Sequence, residues 1–282
     1  MTTQPPTTIR VAHSPDSDDA FMFYALAEGK VDTEGLTYVH ELQDIETLNQ
    51  RAMRGELEVT AVSIHAYAYI SDRYALLPHG ASMGDRYGPR LVAREPTSRD
   101  QIRGKRIAIP GPLTSAYLAL RLFEPDFHPI PTPFDEIEDA VVDGSVDLGL
   151  LIHEGQLTYA DRGLHLVADL GEWWFEQTGL PLPLGGNVVR KDLGDALTRK
   201  ISKHLRASIA YGLQHRASAL DHAMQYARGL DRGKADTFVG MYVNDWTLDY
   251  GDRGREAVRL LLNRGVDAGL ISRDVDVRFV ED

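Results

Sequence analysis

Residues 146–155 read VDLGLLIHEG. Aliphatic side chains of the kind that fill a strand buried on both faces run as far as Ile152, and a titratable ring, a carboxylate and a glycine follow at His153, Glu154 and Gly155. A strand ending this way fits an open α/β sheet, where ligands bind outside the carboxyl ends of the strands. The imidazole itself reads in two ways. Partly desolvated at the end of an apolar strand, its pKa is expected to be pulled down, leaving it neutral near pH 7 as a general base must be. Otherwise it is a buried histidine satisfied by hydrogen bonds, with Glu154 either orienting the ring or repelling it.

Short strands and helical segments alternate on both sides of this stretch. TIRVAHS (8–14), TYVHEL (37–42) and VTAVSIHA (59–66) read as strands, and AFMFYALAEGK (20–30), DIETLNQRAMRG (44–55) and AYAYISDRY (66–74) as helices. At Arg106–Ile109 the alternation starts over: the helix TSAYLALRLF (114–123), a strand around Pro129, the helix DEIEDAVVDG (135–144) and the strand ending at His153 follow. PLPLGGNVVR (181–190) reads as a strand crossing back, and after Asp192 the chain is helical to about residue 270, with apolar spacing at Ile201, Leu205, Ile209 and Leu213. The expected architecture is an α/β, two-lobed fold with mainly parallel sheets and a helical C-terminal part. Residues 1–90 and 188–282 form the first lobe and 91–187 the second, joined by crossings near 88–94 and 184–190. A cleft between lobes is the default ligand site.

The 282 residues suffice for one large or two moderate domains. A formal charge of −12 without clustered Lys and Arg argues against nucleic-acid binding. With no cysteine there is no disulfide framework, thiolate metal site or cysteine nucleophile. MTTQPPTTIR lacks the basic and apolar regions of a signal peptide, and no apolar run approaches the ~20 residues that span a bilayer, so a cytoplasmic protein is expected.

Four seams after strands are candidate sites: AHSPDSDD, AVSIHA, IPGPLTSAY and LIHEGQ. In the third, Thr114 and Ser115 stand at a helix start where free backbone N–H groups favour an anion, although Thr114 also reads as a simple cap. Asp16, Asp18 and Asp19 read as an N-terminal capping array rather than a metal loop, since no longer ligand series completes one. His13 and Ser14 close the first strand. The aromatics Tyr67, Tyr69, Tyr117, Trp173, Trp174 and Tyr242 form another group, and the Trp pair either walls a cleft around a planar ligand or packs into the core. No phosphate loop, dinucleotide fingerprint or nucleophile elbow occurs.

Taken in order, SPDSDDAFMFYAL, LIHEGQLTY, DLGEWWFEQTGLPLPLG and VNDWTLDYGDRGREAV resemble the 1,4-dihydroxy-6-naphthoate synthase family of the futalosine route to menaquinone, from about residue 9 to about residue 265. The resemblance implies a fold like that of periplasmic solute-binding proteins (type II), used as a cytosolic lyase. That lyase converts cyclic dehypoxanthine futalosine to 1,4-dihydroxy-6-naphthoate with loss of a sugar-derived fragment, and needs neither metal nor organic cofactor. It further implies that His153 is the proton acceptor and that Thr114, Ser115, Ala61, Val62 and Ser63 contact a carboxylate-bearing substrate; Ser14, at the end of the first strand, and Trp173, of the aromatic pair, are expected to bind substrate as well. Family members read Lys-Leu-Ser where this chain has Ala61-Val62-Ser63, and Cys-Pro-Asn-Asp where it has Asp16-Ser17-Asp18-Asp19. Two alternatives are a non-catalytic solute-binding protein for a small aromatic or carboxylate ligand, and the chorismate dehydratase of the same pathway.

Overall fold

The computed structural model describes residues 8–281, so the reading of the first seven residues lies outside it. β1 (Thr8–His13), α1 (Ser17–Ala27), β2 (Thr37–Leu42), α2 (Ile45–Met53), β3 (Val59–Ser63) and α3 (Ile64–Ile70) open the first lobe, followed by the short strands β4 (Tyr74–Leu76) and β5 (Ser82–Gly84). The second lobe holds β6 (Arg90–Ala93), β7 (Arg106–Ile109), α4 (Ser115–Phe123), β8 (His128–Pro131), α5 (Ile137–Asp143), β9 (Leu148–Leu151), α6 (Gly155–Thr158) and β10 (His165–Asp169). α7 (Leu170–Thr178) leads to β11 (Leu182–Arg190), and α8 (Asp195–Gln214), α9 (Arg216–Ala223), α10 (Arg232–Tyr242), α11 (Asp245–Leu248) and α12 (Gly251–Asp267) complete the helical part.

The first sheet runs β2-β1-β3-β11-β4 with β5 also on β11, and the second runs β10-β6-β9-β7-β8. Both sheets are mainly parallel in strand direction, as expected, with one strand reversed in each. β1 pairs in parallel with β2 and β3, and β7 with β8 and β9, but β11 and β6 meet their neighbours antiparallel. The reason is that these two strands carry the chain into and out of the second lobe, so each enters its sheet against the grain. β11 lies wholly in the first sheet from Leu182 onward.

β9 shows why the opening stretch reads as it does. All four of its residues are buried, and a Cβ on Gly149 would overlap the side chains of Val141 and Ile137, so only glycine lets α5 lie this close to the strand. α1 is apolar all round its circumference because it is covered all round: Ala20 to Leu26 are buried, with α8, α9 and α10 packed on it. Its N-terminal acids are thereby drawn into the interior.

Where the chain crosses between lobes, the two segments touch backbone to backbone. The Leu170 N–H donates to the Pro89 carbonyl at 3.0 Å, and a methyl on Gly171 would overlap the carbonyl of Tyr87. We expect Gly171→Ala to cost about 1–3 kcal/mol by overpacking, read as a lowered Tm in thermal unfolding, whereas alanine at Gly185, whose Cβ would meet only ordinary van der Waals contacts, should cost less.

Candidate functional site

The carboxyl ends of β1, β3 and β9 and the start of α4 face one cavity of about 110 Å³, set in a cleft whose free space, open solvent included, is about 760 Å³. Ser14, Ala61, Val62, Ser63, Thr114, Ser115 and His153 all line it. Met22, Ile45, Ile152, Leu184, Phe238 and Tyr242 give it apolar walls, and none of the lining residues is Lys or Arg. Trp173 does not reach it. That expectation is corrected: the Trp173 ring stands edge-on to Phe123 at 5.3 Å and to Trp174 at 6.2 Å, and Trp174 is fully buried with its indole N–H on the Pro181 carbonyl. The pair is core because α7 lays it against α4.

His153 sits where β9 ends, and its Nδ1 lies 3.1 Å from Oδ2 of Asp16. The expectation that Asp16 caps α1 is also corrected. Its side chain makes no cap hydrogen bond and instead spans the cleft to His153 through one oxygen, while its Oδ1 lies 2.7 Å from the Arg228 guanidinium. Asp19 does serve the helix entry, accepting from the Ser14 N–H at 2.7 Å. On the far side of His153, Phe134 packs edge-on at a centroid distance of 4.1 Å, and the Arg228 guanidinium lies 4.2 Å over that same Phe134 ring.

These contacts reverse the expected titration of the imidazole. Burial pushes the His153 pKa down, but the charge and hydrogen bond of Asp16 and the charge of Glu154 outweigh it, and the net direction is upward. Burial likewise works against ionised Asp16, yet His153 and Arg228 hold its carboxyl below the usual range. Asp18 is pushed up to about 7 by burial and by the neighbouring charges of Asp16 and Glu154, and Asp19 is raised well above the usual range by burial and Asp18. Both keep some contact with the open cleft, which tempers the burial contribution. Much of this acidic wall is therefore uncharged near neutrality.

Thr114 does cap α4, accepting from the Tyr117 N–H, and donates to the Gly111 carbonyl at 2.8 Å. Ser115 donates to the Leu184 carbonyl at 2.5 Å and accepts from the His65 N–H at 3.1 Å, while Asn49 donates to Ser63 at 3.1 Å. The Thr114 and Ser115 hydroxyls are thus committed to the scaffold both as donors and as acceptors, and the backbone N–H groups opening α4 are what this corner offers a ligand. His65, pushed down to about 4 by burial, is a neutral link between lobes. Further ties close the cleft: Tyr242 donates to Gln156 at 2.7 Å and Ser17 to Glu154 at 3.3 Å.

Asp16, His153 and Glu154 present donor atoms within 4.8 Å of one another, but Arg228 already places a full positive charge on Asp16, and we assign no metal there. Arg228, Phe134 and Gln156 escaped sequence reasoning because each looks locally like a surface cation, a loop aromatic and a helix amide. Only the fold brings them to position 153.

A family model described as "Menaquinone biosynthesis" matches residues 9–267. The chain belongs to that family. Two members similar to it are named 1,4-dihydroxy-6-naphthoate synthase. The one from Thermus thermophilus is 41% identical, with 96% of this chain and 99% of that protein covered. The one from Streptomyces coelicolor is 39% identical, covering 94% and 95%. A crystal structure of an Archaeoglobus fulgidus protein superposes with a TM-score of 0.90 at 51% identity, covering 94% of this chain and 98% of that one. The alkanesulfonate-binding protein of Xanthomonas axonopodis superposes with 0.71 at 12% identity, covering 97% of each, which establishes the periplasmic-binding-protein-like fold alone. Membership of the family gives the chain an enzymatic role in menaquinone biosynthesis. Among the described residues no helix is long and apolar enough to cross a membrane.

Two measurements check the electrostatics without reference to turnover. By NMR the His153 ring should titrate above the ordinary value of about 6.5 and fall below it in Asp16→Asn, because an amide cannot supply the opposing charge. For Asp18, ionisation costs stability as pH rises from about 4 through its raised folded value. Asp18→Asn should therefore exceed wild type by about 1–3 kcal/mol in denaturant unfolding at pH 8, a gap that closes towards pH 4.

Proposed function

We propose that the chain converts cyclic dehypoxanthine futalosine to 1,4-dihydroxy-6-naphthoate in the futalosine route, as a cytoplasmic carbon–carbon lyase with His153 as general base. One observation carries the reading. Nε2 of His153 is buried, lacks a hydrogen-bond partner and belongs to a residue of the cavity wall, while Nδ1 is tied to Asp16. An ionised carboxylate only accepts, so Nδ1 must donate to it, and the deprotonated ring carries its lone pair on Nε2. That is the arrangement in which a carboxylate fixes the tautomer of a catalytic imidazole.

The substrate is a flat, acid-bearing ring system. The apolar walls formed by Met22, Ile45, Ile152, Leu184, Phe238 and Tyr242 suit its rings. Its carboxylate is held by the N–H groups of Ser115 and Ala116 that open α4 next to Thr114, beside Ala61, Val62 and Ser63, where no lysine is available. The raised pKa values of Asp18 and Asp19 lessen the charge that the acidic wall opposes to it. His153 then removes a proton, the sugar-derived fragment departs in a retro-aldol-like step, and aromatisation of the product drives the reaction forward. Proton transfer and bond cleavage of this kind ask for no redox cofactor.

His153→Ala should lose about 100- to 10,000-fold in kcat while the affinity for 1,4-dihydroxy-6-naphthoate changes only a few-fold. Appearance of the fluorescent product from purified protein and cyclic dehypoxanthine futalosine is the assay. A variant as fast as wild type removes His153 from the mechanism. Tight product binding with no turnover by wild type would favour a solute binder on the same scaffold, and water loss from chorismate would favour the sister dehydratase.

A further inference from the structure

Arg228 has no part in substrate contact, yet its position is costly to hold. It is one of three described non-glycine residues with positive φ, at 47°, in the turn between α9 and α10. From there its guanidinium carbon lies 4.2 Å over the Phe134 ring of the second lobe, and its Nη2 reaches Asp16 of the first. A planar, permanently charged group is suited to doing both at once. The two Asp16 oxygens are thereby divided, Oδ1 to Arg228 at 2.7 Å and Oδ2 to His153 at 3.1 Å, with the Asp16 side chain only 5% exposed.

The surroundings of His153 are otherwise acidic. Asp16 and Asp18 face it from the start of α1, and Glu154 adjoins it. From α5, Glu138 lies against Gly155 and is itself paired with Arg162. Among the described residues, Arg228 is the cation that bears on the ring, through Asp16. Without it, a carboxylate placed to orient the imidazole would also hold it as the imidazolium, and an imidazolium accepts no proton.

We propose that Arg228 is a positioning residue for His153: by sharing Asp16 with the imidazole, it lets Asp16 orient the ring without trapping it as a cation. The assignment rests on the reading of His153 as the base. Asp16 and Arg228 are both fixed to elements packed on α1, so they stay paired however the lobes move, and the divided carboxylate is ready when His153 arrives.

Arg228→Gln removes the charge while leaving a planar amide able to bond Asp16 and lie over Phe134. The His153 ring, followed by NMR in the free protein and assigned with His153→Gln, should then titrate about one pH unit higher than in wild type, whereas Arg228→Lys should stay within a few tenths of a unit. In turnover of cyclic dehypoxanthine futalosine, the acidic limb of kcat/KM should move up by the same amount. Arg228→Gln would thus be about tenfold slower than wild type on that limb and near wild type well above it, whereas a merely structural defect would persist at every pH. An unshifted midpoint in Arg228→Gln, or an equal shift in Arg228→Lys, overturns the proposal. Absence of naphthoate from wild type would sink the proposed reaction alone, because the ring titration still decides the role of Arg228.

Discussion

A carboxylate divided between a guanidinium and an imidazole, in a cleft lined by no other cation, is the constraint on which this site depends. Each partner alone would be unfavourable. Asp16 buried without a counter-charge would take up a proton, as burial and like charge drive Asp18 towards doing. His153 buried without Asp16 would lose its proton and its orientation. Together they hold one another in definite states, and because the partners come from different lobes, the site exists only where the lobes meet.

The supporting structure follows from that requirement. Glycines at 149 and 171 bring α5 onto β9 and one crossing segment onto the other, so the strand end that presents His153 has little freedom. The hydroxyls of Thr114, Ser115 and Ser63 are bonded in a helix cap, to β11 and to α2, which leaves backbone N–H groups, rather than adjustable side chains, facing the cleft at this corner. Rigid elements of this kind hold catalytic groups within the tolerance that proton transfer needs.

Much of this was legible in the sequence. Buried strands such as VTAVS and LGLL, helices with glycine stops, and the restart at Arg106 carry local signals that survive folding. So did the convergence of Ser14, Ala61, Thr114 and His153, because strand ends in an α/β sheet meet on one side. What was not legible depended on pairs far apart in the chain. The contact of Asp16 with Arg228 spans more than two hundred residues and leaves no trace at either position. The sense of the His153 titration was misjudged for the same reason: burial is written in the strand, whereas the opposing charge arrives from another lobe. Trp173 misled because an aromatic pair beside a crossing has the same pattern whether it faces a cleft or a helix.

The enclosure of α1 also bears on how the molecule is made. The surfaces that cover this helix come partly from neighbouring strands, through Ile9, Val11 and Val59, and partly from α8, α9 and α10, beyond residue 194. Until α9 and α10 are in place, the face of α1 that carries Phe21, Tyr24 and Ala25 has no cover. The second lobe, whose sheet draws on one uninterrupted stretch, has everything it needs much earlier. Assembly from the middle outwards follows, with the acidic mouth of the cleft among the last parts to take shape.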